Sequence, residues 1–320
     1  MQYLNNDQIN ELISISDVIE TIEDFYVKGD QASVSVPERM HEEDGDNTIL
    51  LMPSFFEDYY GTKLVGVAPG NPSLHKSTIH ALMLLSNRQT MEPLAMMEAQ
   101  ELTALRTGAL GGISMKYLSN EESSIVGIIG TGVQAFSHLQ AACAVRPIKH
   151  VYVYSRSEEN VKRYIEKVNR IFPELKINYA TPIEVIERAD IIITATSSKT
   201  PVLPEVPDLA GKHIVGCGSF RPFMQEISDY IFESIDEMYV DTMTALKESG
   251  DLIRAQERGL KQENVVTLED LILNHEQFKS KKNELTVFKS VGMAVYDLVT
   301  AILIYEKLLK SDQSDGSSGR

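Results

Sequence analysis

Cysteine is scarce in this sequence. Only Cys143 and Cys217 occur, and neither belongs to a C-x-x-C pair or to a Cys/His spacing that suits zinc. A disulfide framework and a metal site are therefore not expected. Both thiols are predicted to be buried.

Positive charge is also in short supply. The chain carries 30 Lys and Arg against 46 Asp and Glu, a formal net charge of −16, and no segment concentrates the basic residues. Proteins that bind nucleic acid rely on clustered Lys and Arg to displace the counterions of the phosphates. A nucleic-acid partner is therefore not expected.

Long apolar runs are missing as well. No stretch reaches the ~20 apolar residues that a membrane-spanning helix needs, and the first residues show no basic segment followed by an apolar one. The sequence thus predicts a soluble, cytoplasmic protein without a membrane partner. Its 320 residues, of which 43% are hydrophobic, suffice for two domains with substantial cores.

Apolar runs and helical stretches alternate in the second part of the chain. The runs are IVGIIG, VYVY, INYA, IIITAT, HIVGCG and MYVD. This alternation is typical of βαβ units that build a parallel sheet. Helical spacing within residues 5–27, 97–118 and 291–309, and short apolar segments at 48–53, 62–68 and 78–85, predict a mixed α+β region before it. The predicted fold class is α/β, a doubly wound parallel Rossmann sheet plus an α+β domain.

A polar break at Ser119–Ser124 separates the two patterns. We predict one domain from residues 1–118 together with 291–312, and a Rossmann domain from residues 119–290. Residues 313–320 are polar, lack apolar anchors and are predicted to be a disordered tail.

A glycine-rich turn follows the first apolar run. Gly130, Gly132 and Ala135 form G-x-G-x-x-A between a predicted strand and a predicted helix. Gly130 permits the tight turn, Gly132 lets a pyrophosphate approach the backbone, and Ala135 allows close packing of helix on strand. Free N–H groups at the helix start favour the phosphates. The turn therefore predicts a nicotinamide dinucleotide site, with contacts from Gly130, Thr131, Gly132, Val133 and Gln134.

The second predicted strand ends at Ser155 and Arg156, where this fold reads the adenosine ribose. An acidic residue would repel a 2′-phosphate, whereas Ser155 and Arg156 can bind one. NADP(H) is therefore favoured over NAD(H), although Arg156 as a solvated loop residue remains an alternative. The small residues Thr194, Ala195 and Thr196 end a later strand and are predicted to pass beside the cofactor.

Six segments in order resemble the ornithine cyclodeaminase/mu-crystallin family. They are VPERM from Val36, GTKLVGVAPGNP from Gly61, LTALRTGALGG from Leu102, GIIGTGVQA from Gly127, GSFRPFMQEI from Gly218 and FKSVGMAVYDL from Phe288. The resemblance implies a two-domain subunit whose N-terminal part, joined by the last helix, binds an amino or imino acid and forms a homodimer. It places Ser219, Ser290 and Gly292 beside the cofactor.

The same resemblance assigns catalytic and substrate-binding roles to Arg39, Lys63 and Arg106, with Thr78 near the substrate. Arg39 matches a position that holds the substrate carboxylate, and a guanidinium suits it because its donors make paired bonds. Arg106 lies in an otherwise apolar helix, where a charge needs an anion, either the substrate or a structural salt bridge. Burial of Lys63 beside two arginines would lower its pKa and allow proton exchange near neutral pH.

Phe220 departs from the ornithine cyclodeaminases, which carry an Asp at this position. A phenyl ring takes no proton and pairs with no ammonium group, so Phe220 is assigned to substrate binding against an apolar ring. The alternative is that Phe220 is a packing residue, which would leave the reaction open. Asp297 is interpreted as a helix surface residue.

The predicted function is NAD(P)H-dependent reduction of carboxylate-bearing ketimines, such as Δ1-pyrroline-2-carboxylate to L-proline. Ornithine cyclodeaminase, alanine dehydrogenase and a non-catalytic NADPH- or ligand-binding protein like mu-crystallin are the alternatives.

Overall fold

The structure is a computed structural model that describes residues 1–317 and forms two compact units. The first comprises Met1–Arg106 and the segment that begins at Met293, and the second comprises Thr107–Gly292. The change of unit falls within a long helix, earlier than the predicted boundary at Ser119, and the predicted domain assignment stays a prediction. Of the predicted disordered tail, residues 313–317 continue the last helix, and residues 318–320 lie outside the described residues.

The first unit is built on a six-stranded sheet. Its strands are β1 (Gln2–Leu4), β2 (Met40–Asp44), β3 (Asn47–Phe56), β4 (Tyr59–Val67), β5 (Ile79–Asn87) and β6 (Pro93–Glu98), in the order β1-β6-β5-β4-β3-β2. Only the β1/β6 pair is parallel. Its helices are α1 (Asn6–Leu12), α2 (Ile15–Val27), the start of α3 (Ala99–Leu118) and α11 (Ala294–Ser317).

Local signals fix where α1 and α2 begin. Asn5 and Ser14 each accept a hydrogen bond from the backbone N–H three residues on, and the side chains of Gln8 and Asp17 bond back to the cap backbone. These reciprocal bonds satisfy N–H groups that would otherwise lack partners at a helix start. The apolar face of α2 then packs in the core of the unit.

The two faces of the sheet differ. Gly61 and Lys63 of β4 point to the face against which α11 packs, and a Cβ at Gly61 would lie 3.0 Å from Cδ1 of Leu298. The opposite face carries a row of directly paired apolar residues, Met40, Leu51, Leu64 and Leu82. We call it the outer row.

The second unit is an eight-stranded parallel sheet with flanking helices. Its strands are β7 (Ile125–Ile129), β8 (His150–Tyr154), β9 (Lys176–Tyr179), β10 (Ile191–Thr194), β11 (His213–Gly216), β12 (Met238–Val240), β13 (Val265–Thr267) and β14 (Thr286–Lys289). The helices are α4 (Val133–Val145), α5 (Glu158–Ile171), α6 (Pro182–Arg188), α7 (Asp229–Glu233), α8 (Ala245–Glu248), α9 (Gly250–Glu257) and α10 (Leu268–Leu273). The strand order is β13-β12-β14-β11-β10-β7-β8-β9. Successive strands are therefore added on one side of β7 up to β9 and on its other side from β10 onward. Doubly wound sheets bind dinucleotides at this reversal of strand order.

The predicted fold class is confirmed, and α4 and α6 lie between strands of the parallel sheet, as the predicted alternation requires. The strands β1, β2, β6, β13 and β14 were missed. Cys217 is buried as predicted, whereas Cys143 is only partly buried, which corrects that expectation. Within residues 1–317 the helices are too short or too polar to cross a membrane, and no cluster of three metal-binding side chains occurs there.

Candidate active site

Lys63 and Arg106 meet in the first unit on one carboxylate. Lys63 of β4 donates to Oδ1 of Asp297 at 2.9 Å, and its Nζ lies 2.8 Å from Oδ2. Nε of Arg106, on α3, donates to Oδ1 of the same group at 3.0 Å. Lys63 is 3% exposed and Arg106 is 6% exposed. The two predicted catalytic cations therefore form one buried group.

Asp297 corrects the sequence interpretation. It was assigned to a helix surface, but it is fully buried on α11 between Tyr296 and Leu298, which are also buried. A charge between residues of an apolar helix needs a partner, the argument that singled out Arg106. Asp297 is the single charged residue in the segment AVYDLV, so the sequence carries the same signal for Asp297 as for Arg106.

The electrostatics of this group favour proton exchange at Lys63. Burial lowers the pKa of Lys63 to about 8, since removal from water disfavours the ammonium form. Asp297 opposes this change, and Arg106 and Arg39 add to it. Burial by itself would raise the pKa of Asp297, but Arg106 and Lys63 hold that pKa below its usual value. Asp297 is therefore ionised at neutral pH.

Of the other predicted substrate residues, Arg39 and Thr78 belong to the first unit and Phe220 belongs to the second. Arg39 precedes β2, is half-buried and acts on Lys63 electrostatically. Thr78 is half-buried just before β5, and its carbonyl accepts a bond from Ala68 N at 2.8 Å. No described hydrogen bond joins the Thr78 side chain to Lys63. Phe220 belongs to the second unit, where its side chain is 48% exposed.

Arg106 differs from a purely structural buried arginine. Arg146, in the second unit, uses its three nitrogens on Ser119 and on backbone carbonyls at 2.7–3.0 Å. Arg106 uses only Nε, and within residues 1–317 no hydrogen bond is recorded for its two terminal nitrogens. Two adjacent unused donors on a buried guanidinium match the two oxygens of a carboxylate.

The glycine turn of the second unit fits a dinucleotide. Gly130 has φ +114°, donates its N–H to Tyr154 O at 2.9 Å, and passes so close to Ala195 that a Cβ there would lie 2.9 Å from the Ala195 carbonyl carbon. Around Gly132 a Cβ would meet nothing within 4 Å, so the backbone is open to a ligand. Gly132 caps α4 without a side-chain hydrogen bond, which leaves the helix N–H groups for phosphate.

A cleft of about 480 Å³ adjoins this turn. Of the predicted cofactor residues it is lined by Gly130, Thr131, Ser155, Arg156, Ala195 and Thr196. Arg156 is exposed, and no contact is recorded for its guanidinium within residues 1–317. Among the predicted cofactor residues, Gly132, Val133, Gln134, Thr194, Ser219, Ser290 and Gly292 do not line it.

Two buried carboxylates, both missed as site residues, hold the loops beyond the strand ends. Glu226 accepts bonds from the N–H and hydroxyl of Thr196 and from the N–H groups of Gly218 and Ser219. Asp241 accepts bonds from the Ser290 hydroxyl at 2.8 Å and from Gly292 N at 2.6 Å. Glu226 thus holds the loop that contains Ser219, and Asp241 holds the loop that contains Ser290 and Gly292. The bonds to Thr196, Ser290 and Gly292 join residues far apart in the sequence, which spacing alone does not reveal.

Three known proteins resemble this chain over most of its length. Delta(1)-pyrroline-2-carboxylate reductase of Bacillus cereus is 38% identical over 269 residues, 82% of each protein. The reductase of that name from Thermococcus litoralis, solved with NADH and L-proline, is 33% identical with a TM-score of 0.90 over 98% of both chains. An archaeal alanine dehydrogenase dimer with bound NAD is 30% identical with a TM-score of 0.88, covering 98% of this chain and 97% of that one.

The Rossmann sheet with its open glycine turn, together with the buried Lys63–Asp297–Arg106 group, defines an NAD(P)-dependent oxidoreductase. The model of the ornithine cyclodeaminase/mu-crystallin family matches residues 2–312, and the chain belongs to this family. The resemblance drawn from the six sequence segments is thereby confirmed.

Proposed function

We propose that this chain reduces ketimines that carry a carboxylate, with Δ1-pyrroline-2-carboxylate giving L-proline as the type reaction. The observation that carries the proposal is the buried Arg106, whose terminal nitrogens have no hydrogen-bond partner among residues 1–317, beside a lysine whose pKa is lowered to about 8. The relatives named above support it, since two are reductases of this substrate. A cytoplasmic location is part of the proposal, and it rests on the sequence, in which no stretch reaches the ~20 apolar residues of a membrane-spanning helix.

Each residue of the first unit has a distinct task in this reaction. Arg106 binds the substrate carboxylate through its terminal nitrogens, and Arg39 adds a second cationic contact. Lys63 donates a proton to the imine nitrogen as the C=N bond is reduced, because its ammonium form predominates below pH about 8. The nicotinamide, when bound, supplies the hydride that the imine carbon accepts. One hydride and one proton convert the imine to the amine.

The test is an assay of the purified chain with Δ1-pyrroline-2-carboxylate and NADH or NADPH, followed by the loss of nicotinamide absorbance. Proline should form in amounts equal to the cofactor consumed. A parallel incubation with ornithine and catalytic NAD should release no ammonia, because Phe220 offers no carboxylate to the side-chain amine. Ammonia release without reductase activity would instead establish a cyclodeaminase.

The preference for NADP(H) is a further part of the proposal, and it rests on Arg156. This exposed guanidinium lies at the cleft beside Ser155, where a 2′-phosphate would bind. Arg156→Ala should weaken NADPH binding about tenfold, the size of a charge-assisted bond, and leave NADH binding unchanged. Titration of cofactor fluorescence measures both constants. Arg163→Ala, an exposed arginine paired with Glu159 on α5, is the control; an equal loss for both cofactors would contradict the preference.

A homodimer is also proposed, through the outer row of the first unit. Within this row Met40 is 47% exposed, Leu64 is 42% exposed and Leu82 is 37% exposed. Adjacent exposed apolar residues on a sheet face are typical of an interface. Leu64→Glu should convert the dimer to monomer, as measured by light scattering during gel filtration. Ile183→Glu, at an apolar residue of α6 that is 52% exposed, should leave the mass unchanged; a dimer that persists in Leu64→Glu would place the interface elsewhere.

A further inference from the structure

Asp297 joins three elements of the reductase site in the first unit. Its Oδ1 accepts both from Lys63 of β4 and from Arg106 of α3, and the carboxylate itself is carried by α11. These elements lie far apart in the chain, so the spacing of the two cations depends on this carboxylate. Asp297 is 0% exposed, which rules out a role as a solubilising surface charge.

The charge of Lys63 depends on the same group. Within residues 1–317, Asp297 is the only anion recorded within salt-bridge distance of Lys63. The other charged groups that act on the lysine are Arg106 from α3 and Arg39 from the segment before β2, and both disfavour its ammonium form. Without Asp297, a buried lysine whose ammonium form is disfavoured by two guanidinium groups would lose its proton near neutral pH.

A structural salt bridge alone accounts poorly for this arrangement. Buried ion pairs contribute little net stability, because desolvation offsets their attraction, and apolar residues of similar size often stabilise a core as well. Among the described residues, the Lys63–Asp297–Arg106 group also carries an unbalanced charge, two cations against one carboxylate. The excess positive charge suits an anionic substrate, and the bond from Arg106 Nε to Asp297 leaves both terminal nitrogens for it.

We infer that Asp297 is a positioning residue of the reductase site, whose carboxylate fixes the Lys63 ammonium and the Arg106 guanidinium in one arrangement and lets that ammonium keep its proton. This inference rests on the proposed function for its catalytic meaning. Its physical content, the dependence of the Lys63 proton on Asp297, holds whether or not the chain reduces imines.

The experiment measures the titration of Lys63 directly and activity separately. Protein labelled with ¹³C at the lysine ε-carbon is titrated by NMR, and Lys63→Arg identifies the signal. The wild-type midpoint should lie near pH 8, and in Asp297→Asn it should fall by about 1–3 units, the usual effect of removing a close opposite charge. The alkaline limb of imine reduction should move down by the same amount.

The matched control is Tyr296→Phe. It removes the hydrogen bond between the hydroxyls of Tyr296 and Tyr26, 2.7 Å apart, from the adjacent buried position of α11. This variant disturbs the helix but leaves the charges around Lys63 in place, so the midpoint should stay near pH 8. An unchanged midpoint in Asp297→Asn, with reduced activity alone, would overturn the inference.

Asp297→Glu keeps the inference testable if the Asn variant does not fold. The longer carboxylate retains the charge but shifts the cations, so the midpoint should stay within about one unit of wild type while kcat falls. A larger drop of the midpoint in this variant would contradict the inference. A shifted Lys63 signal in Asp297→Asn together with an inactive wild-type enzyme would overturn the proposed function and leave the role of Asp297 intact.

Discussion

Replacement of Lys63 with methionine is expected to lower the rate of imine reduction by about 10²–10⁴-fold, the usual contribution of a positioned proton donor. The methionine fills a similar volume in the buried site but has no proton to give. Arg106 remains on Asp297, so the carboxylate keeps a cationic partner at 3.0 Å. Single-turnover reduction of Δ1-pyrroline-2-carboxylate at saturating cofactor measures the chemical step.

Two further variants separate proton transfer from charge. Lys63→Arg keeps the positive charge, but a guanidinium does not release its proton near neutral pH, so this variant should be nearly as slow as Lys63→Met. Lys76→Met, at an exposed lysine of the same unit, is the control and should match wild type. A Lys63→Arg enzyme with close to wild-type rate would show that Lys63 acts as a fixed charge rather than a proton donor.

Strands β7 to β12 of the second unit were predictable because their signals are local. The turn at Gly130 and the bounds of α4 and α6 depend on neighbouring residues, through a positive φ, a helix start and the capping box at Thr181. Strand β2, in contrast, has the sequence MHEED and is exposed along its whole length. It forms because β3 offers an edge with unpaired backbone groups, which no pattern within these five residues indicates.

The candidate site was predictable only in part, because several of its contacts join residues that are distant in the sequence. Lys63 and Arg106 were found from the family resemblance and from the cost of a charge in an apolar helix. Asp297 was missed, although the same cost applies to it, because the last helix was judged by its apolar residues alone. Glu226 and Asp241 accept bonds from backbone N–H groups at Thr196 and Gly292, in loops that follow other strands. Their partners are set by the tertiary fold, so a single sequence does not reveal them.

Arg106→Lys is expected to lower kcat/KM for the imino acid about 10- to 100-fold, which corresponds to the loss of one charge-assisted hydrogen bond. The lysine keeps the positive charge, but it is a single point of charge and does not form the paired bonds that a guanidinium makes with a carboxylate. Most of the effect should appear in KM, because the substrate carboxylate is bound alike before and during the transfer of hydride.

The matched control for this prediction is Arg146→Lys in the second unit. Its guanidinium is as buried as that of Arg106 but is fully engaged with Ser119 and backbone carbonyls. The Arg146→Lys variant should therefore have a lower melting temperature and an unchanged KM. If Arg106→Lys also lowered only the melting temperature, Arg106 would be a structural partner of Asp297, and the carboxylate of the substrate would have to be bound by Arg39. A rise in KM in Arg106→Lys but not in Arg146→Lys would instead show that Arg106 binds the substrate. Of these two arginines, Arg106 is the one whose terminal nitrogens have no hydrogen-bond partner among residues 1–317.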